Sequence, residues 1–433
     1  MSTLSTQIRL LDEKLIGRNR SASEFYARSG WTVSAGTLAA IAIAFAMGTS
    51  SIVFSEPAIA DILMAAVIVG LPMLGVTRFG PVSILHLAMW LVFVGLGLAA
   101  CSLSTNIDTA IIHQVVTLFL ALGSFVIAGY VAADPEPRFH LVMRCYVVGC
   151  LLATAAAFIG YFSIIPSTYD IFTNYGRARG TFKDPNVLGA ALAPAIVYVT
   201  WVALRQPLRQ VLIAGAVGLP MMLALLLSFS RGAWASVAFS LLACVWLTLV
   251  TTRRASDFRR FVAVAALGSL ALVATLGAML EMDAVGDLFE QRASLDQSYD
   301  EGPDGRFGGQ AKAVGLILGH PFGIGTHTFR DTMHPEEAHN VYLSQFMNAG
   351  WVGGMLYLIS VFGTLIAGVY AIRKRTSLQG PLIVVTASFA GLVFEGFVID
   401  TDHWRHFFIL MGLIWGLIDA ARPAPDPERR TYD

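Results

Sequence analysis

Between Arg209 and Arg253 the chain carries a single charged residue, Arg231, with 21 residues on each side of it. A helix needs about 20 apolar residues to cross the hydrocarbon core of a bilayer. One helix through both halves would be twice too long. The segment therefore reads as two spans joined at Ser228-Phe229-Ser230-Arg231-Gly232, a sequence suited to a sharp turn, with Arg231 at the tip. Apolar runs of the same kind recur near Trp31–Gly48, Ala58–Val76, Val82–Cys101, Ile112–Ala133, Leu141–Phe162 and Val187–Leu204. Others lie near Val211–Phe229, Gly232–Val250, Phe261–Leu280, Val341–Ile372, Leu382–Ile399 and Phe407–Ala421. The pattern predicts an all-α polytopic membrane protein of about 12 transmembrane helices. Val341–Ile372 exceeds one span, so its first turns are expected outside the hydrocarbon or at an angle to the rest.

Composition agrees. The chain is 56% hydrophobic and 13% charged, with a mean hydropathy of +0.66. Soluble domains are about 25% charged. A surface this poor in charge needs lipid to cover it. The formal net charge is zero, so there is no basic field of the kind nucleic acid requires. The four cysteines, Cys101, Cys145, Cys150 and Cys244, have no metal-ligand spacing and read as core residues. Residues 1–30 are polar and mixed in charge, unlike a cleavable signal, so the first apolar run is expected to be a retained helix.

Lys and Arg set the orientation. With the N-terminus inside and sides alternating, 20 of the 29 Lys and Arg fall inside and 9 outside. The expected layout is a cytoplasmic segment at 1–30, a transmembrane domain at 31–421 and a cytoplasmic tail at 422–433. The main outer loops are 163–186 and 281–340, the second between helices 9 and 10. The nine outer cations are Arg177, Arg179, Lys183, Arg231, Arg292, Arg306, Lys312, Arg330 and Arg405. They run against the positive-inside bias and need another reason to be there. The stretch Asp296–Gly309 is acidic and Gly-rich and is expected to be flexible.

Four constellations carry chemistry. Gly176–Asn186 places Arg177, Arg179 and Lys183 before an apolar helix that Asp184-Pro185-Asn186 would cap. Arginine forks and a helix N-terminus suit phosphate oxygens. Lipid-headgroup anchoring is the competing reading. Arg231 is costly unless it meets water, lipid phosphate or a partner. His339, in Glu336-Glu337-Ala338-His339-Asn340, stands where the long loop enters a helix. It suits a general base oriented by Glu336 or Glu337. Asp400–His406 offers Asp402 and His403 as supporting groups. His320, His327 and His334 show no metal spacing, so no metal is expected. Ionisable residues within the spans are few: Asp61, His86, His113, Glu395 and Asp419.

Arg179-Gly-Thr-Phe-Lys-Asp-Pro-Asn186, Ser228-Phe-Ser-Arg-Gly232, Gly323-Ile-Gly325, Ala338-His-Asn-Val-Tyr-Leu343 and Gly350-Trp-Val-Gly-Gly354 occur in that order. In this the chain resembles the O-antigen ligase and Wzy-type polysaccharide polymerase superfamily. The resemblance implies a GT-C-like, metal-independent, inverting membrane glycosyltransferase without a cofactor, in the bacterial inner membrane, with its site facing the periplasm. The donor would be an undecaprenyl-pyrophosphate-linked glycan. The acceptor would be lipid A–core for a ligase, or a second lipid-linked glycan for a polymerase of O-antigen or exopolysaccharide. By the same resemblance Arg179 and Arg231, assisted by Arg177, would bind the donor pyrophosphate. His339 would activate the acceptor hydroxyl, with Glu337, Asn340, Asp402 and His403 as possible supports. The ligase is the first reading and the polymerase the alternative. A secondary transporter, the rival from another class, should show internal repeats and polar or broken helices at the midplane. A scaffold protein would leave the outer arginines without a purpose.

Overall fold

The computed structural model describes residues 34–205, 208–251 and 302–421, with scattered positions between 258 and 286. The expected segments 1–30 and 422–433, and most of the run Phe261–Leu280, lie outside the described residues. In chain order the helices are α1 (Ala35–Gly48), α2 (Ile59–Met73), α3 (Pro81–Ala100), α4 (Ile107–Ala133), α5 (Pro135–Tyr161) and the single turn α6 (Tyr169–Phe172). They continue as α7 (Pro185–Arg205), α8 (Leu208–Leu227), α9 (Arg231–Thr251), α10 (Arg306–Gly319), α11 (Thr328–Thr332), α12 (Val341–Arg373), α13 (Gln379–Glu395) and α14 (Arg405–Ala420). Among the described residues the only strands are Thr173–Asn174 and Arg177–Ala178, a two-stranded antiparallel pair.

Apart from Phe261–Leu280, most of which lies outside the described residues, every apolar run holds a helix. Among the described residues six helices are long and apolar enough to cross a membrane: Pro81–Leu103, Ile107–Ala133, Pro135–Tyr161, Pro185–Arg205, Arg231–Thr251 and Val341–Arg373. Ala35–Gly48, Ile59–Met73, Val211–Leu227 and Gln379–Glu395 are apolar but shorter. Large apolar side chains face outward, as on α2, where Met73 is 82% exposed. Such a surface is stable against lipid tails and not against water.

Hydrocarbon gives helices no hydrophobic reason to associate, so close backbone contact between small residues takes that part. α14 lies along α4 through Gly412 and Gly416. A Cβ at Gly412 would stand 2.3 Å from the Ser124 carbonyl oxygen, and one at Gly416 2.5 Å from that of Ala128. Gly391 on α13 meets Ser236 and Ser240 of α9 in the same way. The long run resolves as two pieces, as its length suggested: Gly350, at φ 71°, breaks α12 near its start.

Connections sort by contact into two ends. At one end Asp419 of α14 accepts from the Val82 and Ser83 N–H groups at 3.1 and 2.9 Å, capping α3. Arg138 there donates to the Val76 and Tyr130 carbonyls at 2.6 and 2.7 Å. At the other end Val53 N–H donates to Thr181 O at 2.8 Å, and Lys183 pairs with Glu56 at 3.1 Å. Thr105 there bonds Thr328 and Asp331, and Val341 N–H donates to Gly396 O at 2.9 Å. This second end gathers the loops that the alternating count placed outside.

Of the stretch Asp296–Gly309, residues 296–301 lie outside the described residues. Arg306–Gly309 forms the first turn of α10. The loop also has its own small core of Ala313, Ile324, Phe329 and Ala338 with Met347 of α12.

The glycine seam yields a direct test. Gly412→Val or Gly416→Val should cost about 1–3 kcal/mol or more through overpacking. Either should remove the monodisperse peak in fluorescence-detected size exclusion. Gly363→Val, with nothing within 4 Å of its Cβ position, should leave that peak unchanged.

Candidate active site

The basic loop is built as a hairpin on a capped helix. Asp184 accepts from Asn186 N–H at 2.6 Å and Pro185 opens α7, so the cap read from the sequence is present. The strand pair turns through Tyr175 and Gly176, both at positive φ, and this separates the two arginines. Arg177 reaches the α8–α9 tip: its Nε donates to Ser228 O at 2.7 Å and its Nη2 to Asn186 Oδ1 at 2.7 Å. Arg179 turns back on its own loop, donating to the Ile171 and Asp170 carbonyls at 3.2 Å each. The sequence weighted Arg179 above Arg177. By contact, Arg177 is the one joined to the tip that carries Arg231.

That tip is a tight turn between α8 and α9, as the charge spacing required. Phe229 takes the left-handed conformation (φ 47°), and Trp234 Nε1 donates to Leu225 O at 2.9 Å across the turn. Arg231 is the first residue of α9, half-buried. Its neighbour Gly232 faces the end of α13: a Cβ there would lie 3.6 Å from both Glu395 Oε1 and Val398 Cγ2.

Across the turn that follows α13 stands His339. Gln310 of α10 donates to both His339 O (3.2 Å) and Phe397 O (3.3 Å), tying the loop to that turn. Asn340 caps α12 by accepting Leu343 N–H at 3.3 Å, so its role in the structure is local. His339 sits just before the cap at φ 49°, a conformation costing a non-glycine residue about 1–2 kcal/mol. Its Nε2 meets Glu336 Oε2 at 2.7 Å. In a neutral ring that donates this Nε2–H, the lone pair is on Nδ1. The His339 side chain is 26% exposed. Glu336, not Glu337, holds His339. Glu337 instead accepts from His327 Nδ1 at 2.7 Å and lies 3.6 Å from Arg330.

Sequence reasoning named Asp402 and His403 but missed that His113, Gln345 and Thr117 converge on them. His113 of α4 lies 3.3 Å from Asp402 Oδ2, which also accepts from Gln345 Nε2 at 2.9 Å. Ser344 donates to Asp400 Oδ1 at 2.6 Å, and the Thr117 hydroxyl is 2.9 Å from His403 Nε2. His327 reaches in from the long loop, its ring centroid 5.1 Å from that of His113. Burial raises the Asp400 carboxyl to about 7, and the neighbouring Asp402 charge adds to this. Burial also pushes Asp402 upward, but the His113 hydrogen bond and the charges of His403 and His113 leave it well below the usual carboxylate range. Burial lowers His403 to about 3. The signal in the sequence was the isolated His113 in an apolar span. Nothing in its spacing linked it to Asp402.

The fold and the site define a polytopic membrane protein with cations and a strained, carboxylate-held histidine gathered at one end. Residues 214–358 match a family model described as O-antigen ligase, which bears out the resemblance to the ligase and Wzy-type superfamily seen in the sequence. The match covers Arg231, the long loop, His339 and the Gly350 break. Arg177, Arg179, Asp402 and His403 lie outside it. A comparison with curated proteins finds no match.

The division between the arginines is testable. Arg177→Gln should raise hydrogen–deuterium exchange across 228–232 several-fold, because it removes the brace on Ser228. Arg179→Gln should leave those peptides unchanged and loosen 170–172. Equal protection at the tip in both variants would refute the assignment.

Proposed function

We propose that this protein is a glycosyltransferase that moves a glycan from an undecaprenyl-pyrophosphate carrier to a hydroxyl acceptor at the periplasmic face of the inner membrane. The first reading is a ligase with lipid A–core as acceptor. A polymerase of O-antigen or exopolysaccharide units uses the same donor chemistry and is the alternative. One observation carries the reading: the Arg231 tip and His339, both within the family match, flank a single turn, Gly396–Val398, at one end of the bundle.

The chemistry follows from charge. As the glycosidic bond breaks, the leaving pyrophosphate gains negative charge. Guanidinium groups aimed there stabilise the transition state more than the ground state. Arg231 is placed for this at the start of α9, where the helix end adds a favourable field. Arg177 acts with it through the tip, and Arg179 lines the approach. His339, oriented by Glu336, takes the proton from the acceptor hydroxyl on the opposite face of the sugar, which gives inversion. A carrier anchored in lipid explains a site at the membrane surface.

The transporter reading is disfavoured by what the ionisable residues in the spans do. Asp61 is held by Arg405 through two hydrogen bonds of 2.7 Å, Asp419 caps α3, and His86 lies 3.3 Å from the Ser124 hydroxyl. These three residues are engaged in packing contacts between helices and at a helix start.

Arg231→Ala should lower transfer by about 10²–10³-fold, and His339→Ala by about 10²–10⁴-fold. Membrane insertion should be unaffected in both. Arg231→Lys should remain poor, because an ammonium lacks the planar fork. The check is complementation of a deletion strain, read on lipopolysaccharide and exopolysaccharide gels. Full activity in both alanine variants would remove these residues from the site. Loss of all O-chain from lipid A–core marks a ligase, and a single-repeat product marks an O-antigen polymerase.

A further inference from the structure

Three side chains from two distant parts of the chain converge below the long loop. His113 lies in the second turn of α4, while Asp402 and His403 lie in the connection between α13 and α14. One potential ligand atom from each falls within 4.8 Å of the other two. His113 Nε2 and Asp402 Oδ2 are 3.3 Å apart. A tetrahedral ion with bonds of about 2.0–2.1 Å to nitrogen and oxygen has ligand atoms about 3.3 Å apart along each edge. The two imidazoles are tilted against each other, with centroids 3.9 Å apart and planes inclined at 32°.

The surroundings are those of a built site. Gln345 of α12 donates to Asp402 Oδ2 at 2.9 Å and fixes the carboxylate. Thr117, one turn after His113 on α4, holds the His403 ring at 2.9 Å. Outer partners of this kind orient metal ligands. His113 and Asp402 retain 11% and 15% side-chain exposure, so an entry path is open. Two histidines and one carboxylate suit Zn²⁺ and related first-row divalent ions.

We propose that His113, Asp402 and His403 bind one Zn²⁺-class divalent ion that fastens the α13–α14 connection to α4. The ion would be a clamp and not a participant in transfer. The connection it fastens carries Asp400, which holds Ser344 near the start of α12, and leads into Arg405, which holds Asp61 of α2. The proposal does not rest on the glycosyltransferase reading, because its readouts are binding and stability.

The test uses the full chain without a histidine tag, in lipid nanodiscs, stripped with chelator and titrated with Zn²⁺ or Co²⁺. Elemental analysis after desalting should find one Zn²⁺ retained per chain, with a higher melting temperature. Co²⁺ should give the intense visible bands of a four-coordinate ion. His113→Ala and His403→Ala should abolish both signals. Gln345→Leu should weaken binding by about 10–100-fold. His320→Ala, at the exposed end of α10, should bind as the parent does. Absence of retained Zn²⁺ and of four-coordinate Co²⁺ bands in the parent protein would overturn the proposal without any variant. So would undiminished binding in His113→Ala and His403→Ala.

Discussion

The motif-bearing end is organised by one short turn after α13. Gly396 accepts the Val341 N–H at 2.9 Å, Phe397 accepts the Gln310 amide, and Val398 lies against Gly232. Through these three residues the start of α12, the loop helix α10 and the start of α9 share one point of attachment. Side chains are excluded where the elements meet: a Cβ at Gly396 would stand 2.9 Å from Val341 Cγ1. His339 and Arg231 therefore keep a fixed relation although 107 residues separate them. Gly396 is buried, so its carbonyl depends on the Val341 N–H for a partner and that contact is costly to break.

The long loop is held from both sides of that turn. Ile324 N–H donates to Met347 O at 2.7 Å, and Trp351 N–H to Pro321 O at 2.9 Å, so the Gly323–Gly325 segment wraps the break in α12. Gly350 makes the wrap possible. It takes a backbone conformation that other residues avoid, and a Cβ there would meet the Pro321 carbonyl at 2.6 Å. Gly323 and Gly350 thus mark one backbone crossing, where a Cβ on Gly323 would in turn stand 2.6 Å from the Met347 carbonyl oxygen.

Much of this was legible in the sequence, for physical reasons. Span length is fixed by bilayer thickness, so the lone Arg231 between two 21-residue halves located a hairpin tip without any structure. The Asp184-Pro185 cap and the over-long Val341–Ile372 run were legible because capping and length are local properties. Long-range pairing was not. Glu336 and Glu337 are adjacent, and only the left-handed turn at His339 decides which carboxylate it meets. Arg177 and Arg179 are two apart on a hairpin, and only the strand register sends one to the tip and the other back to its own loop. The convergence of His113 with Asp402 and His403 depends on α4 packing along α14, which no spacing rule encodes.

The central claim is that this end of the bundle transfers a glycan between lipid-borne substrates. Reconstitution of the purified chain in liposomes with an undecaprenyl-pyrophosphate-linked glycan, lipid A–core and no other protein tests it most directly. The account predicts a glycan-extended acceptor, either lipid A–core or a second carrier-linked unit, with release of undecaprenyl pyrophosphate. Intact donor after prolonged incubation, in a preparation whose folded state is verified by size exclusion, would contradict it.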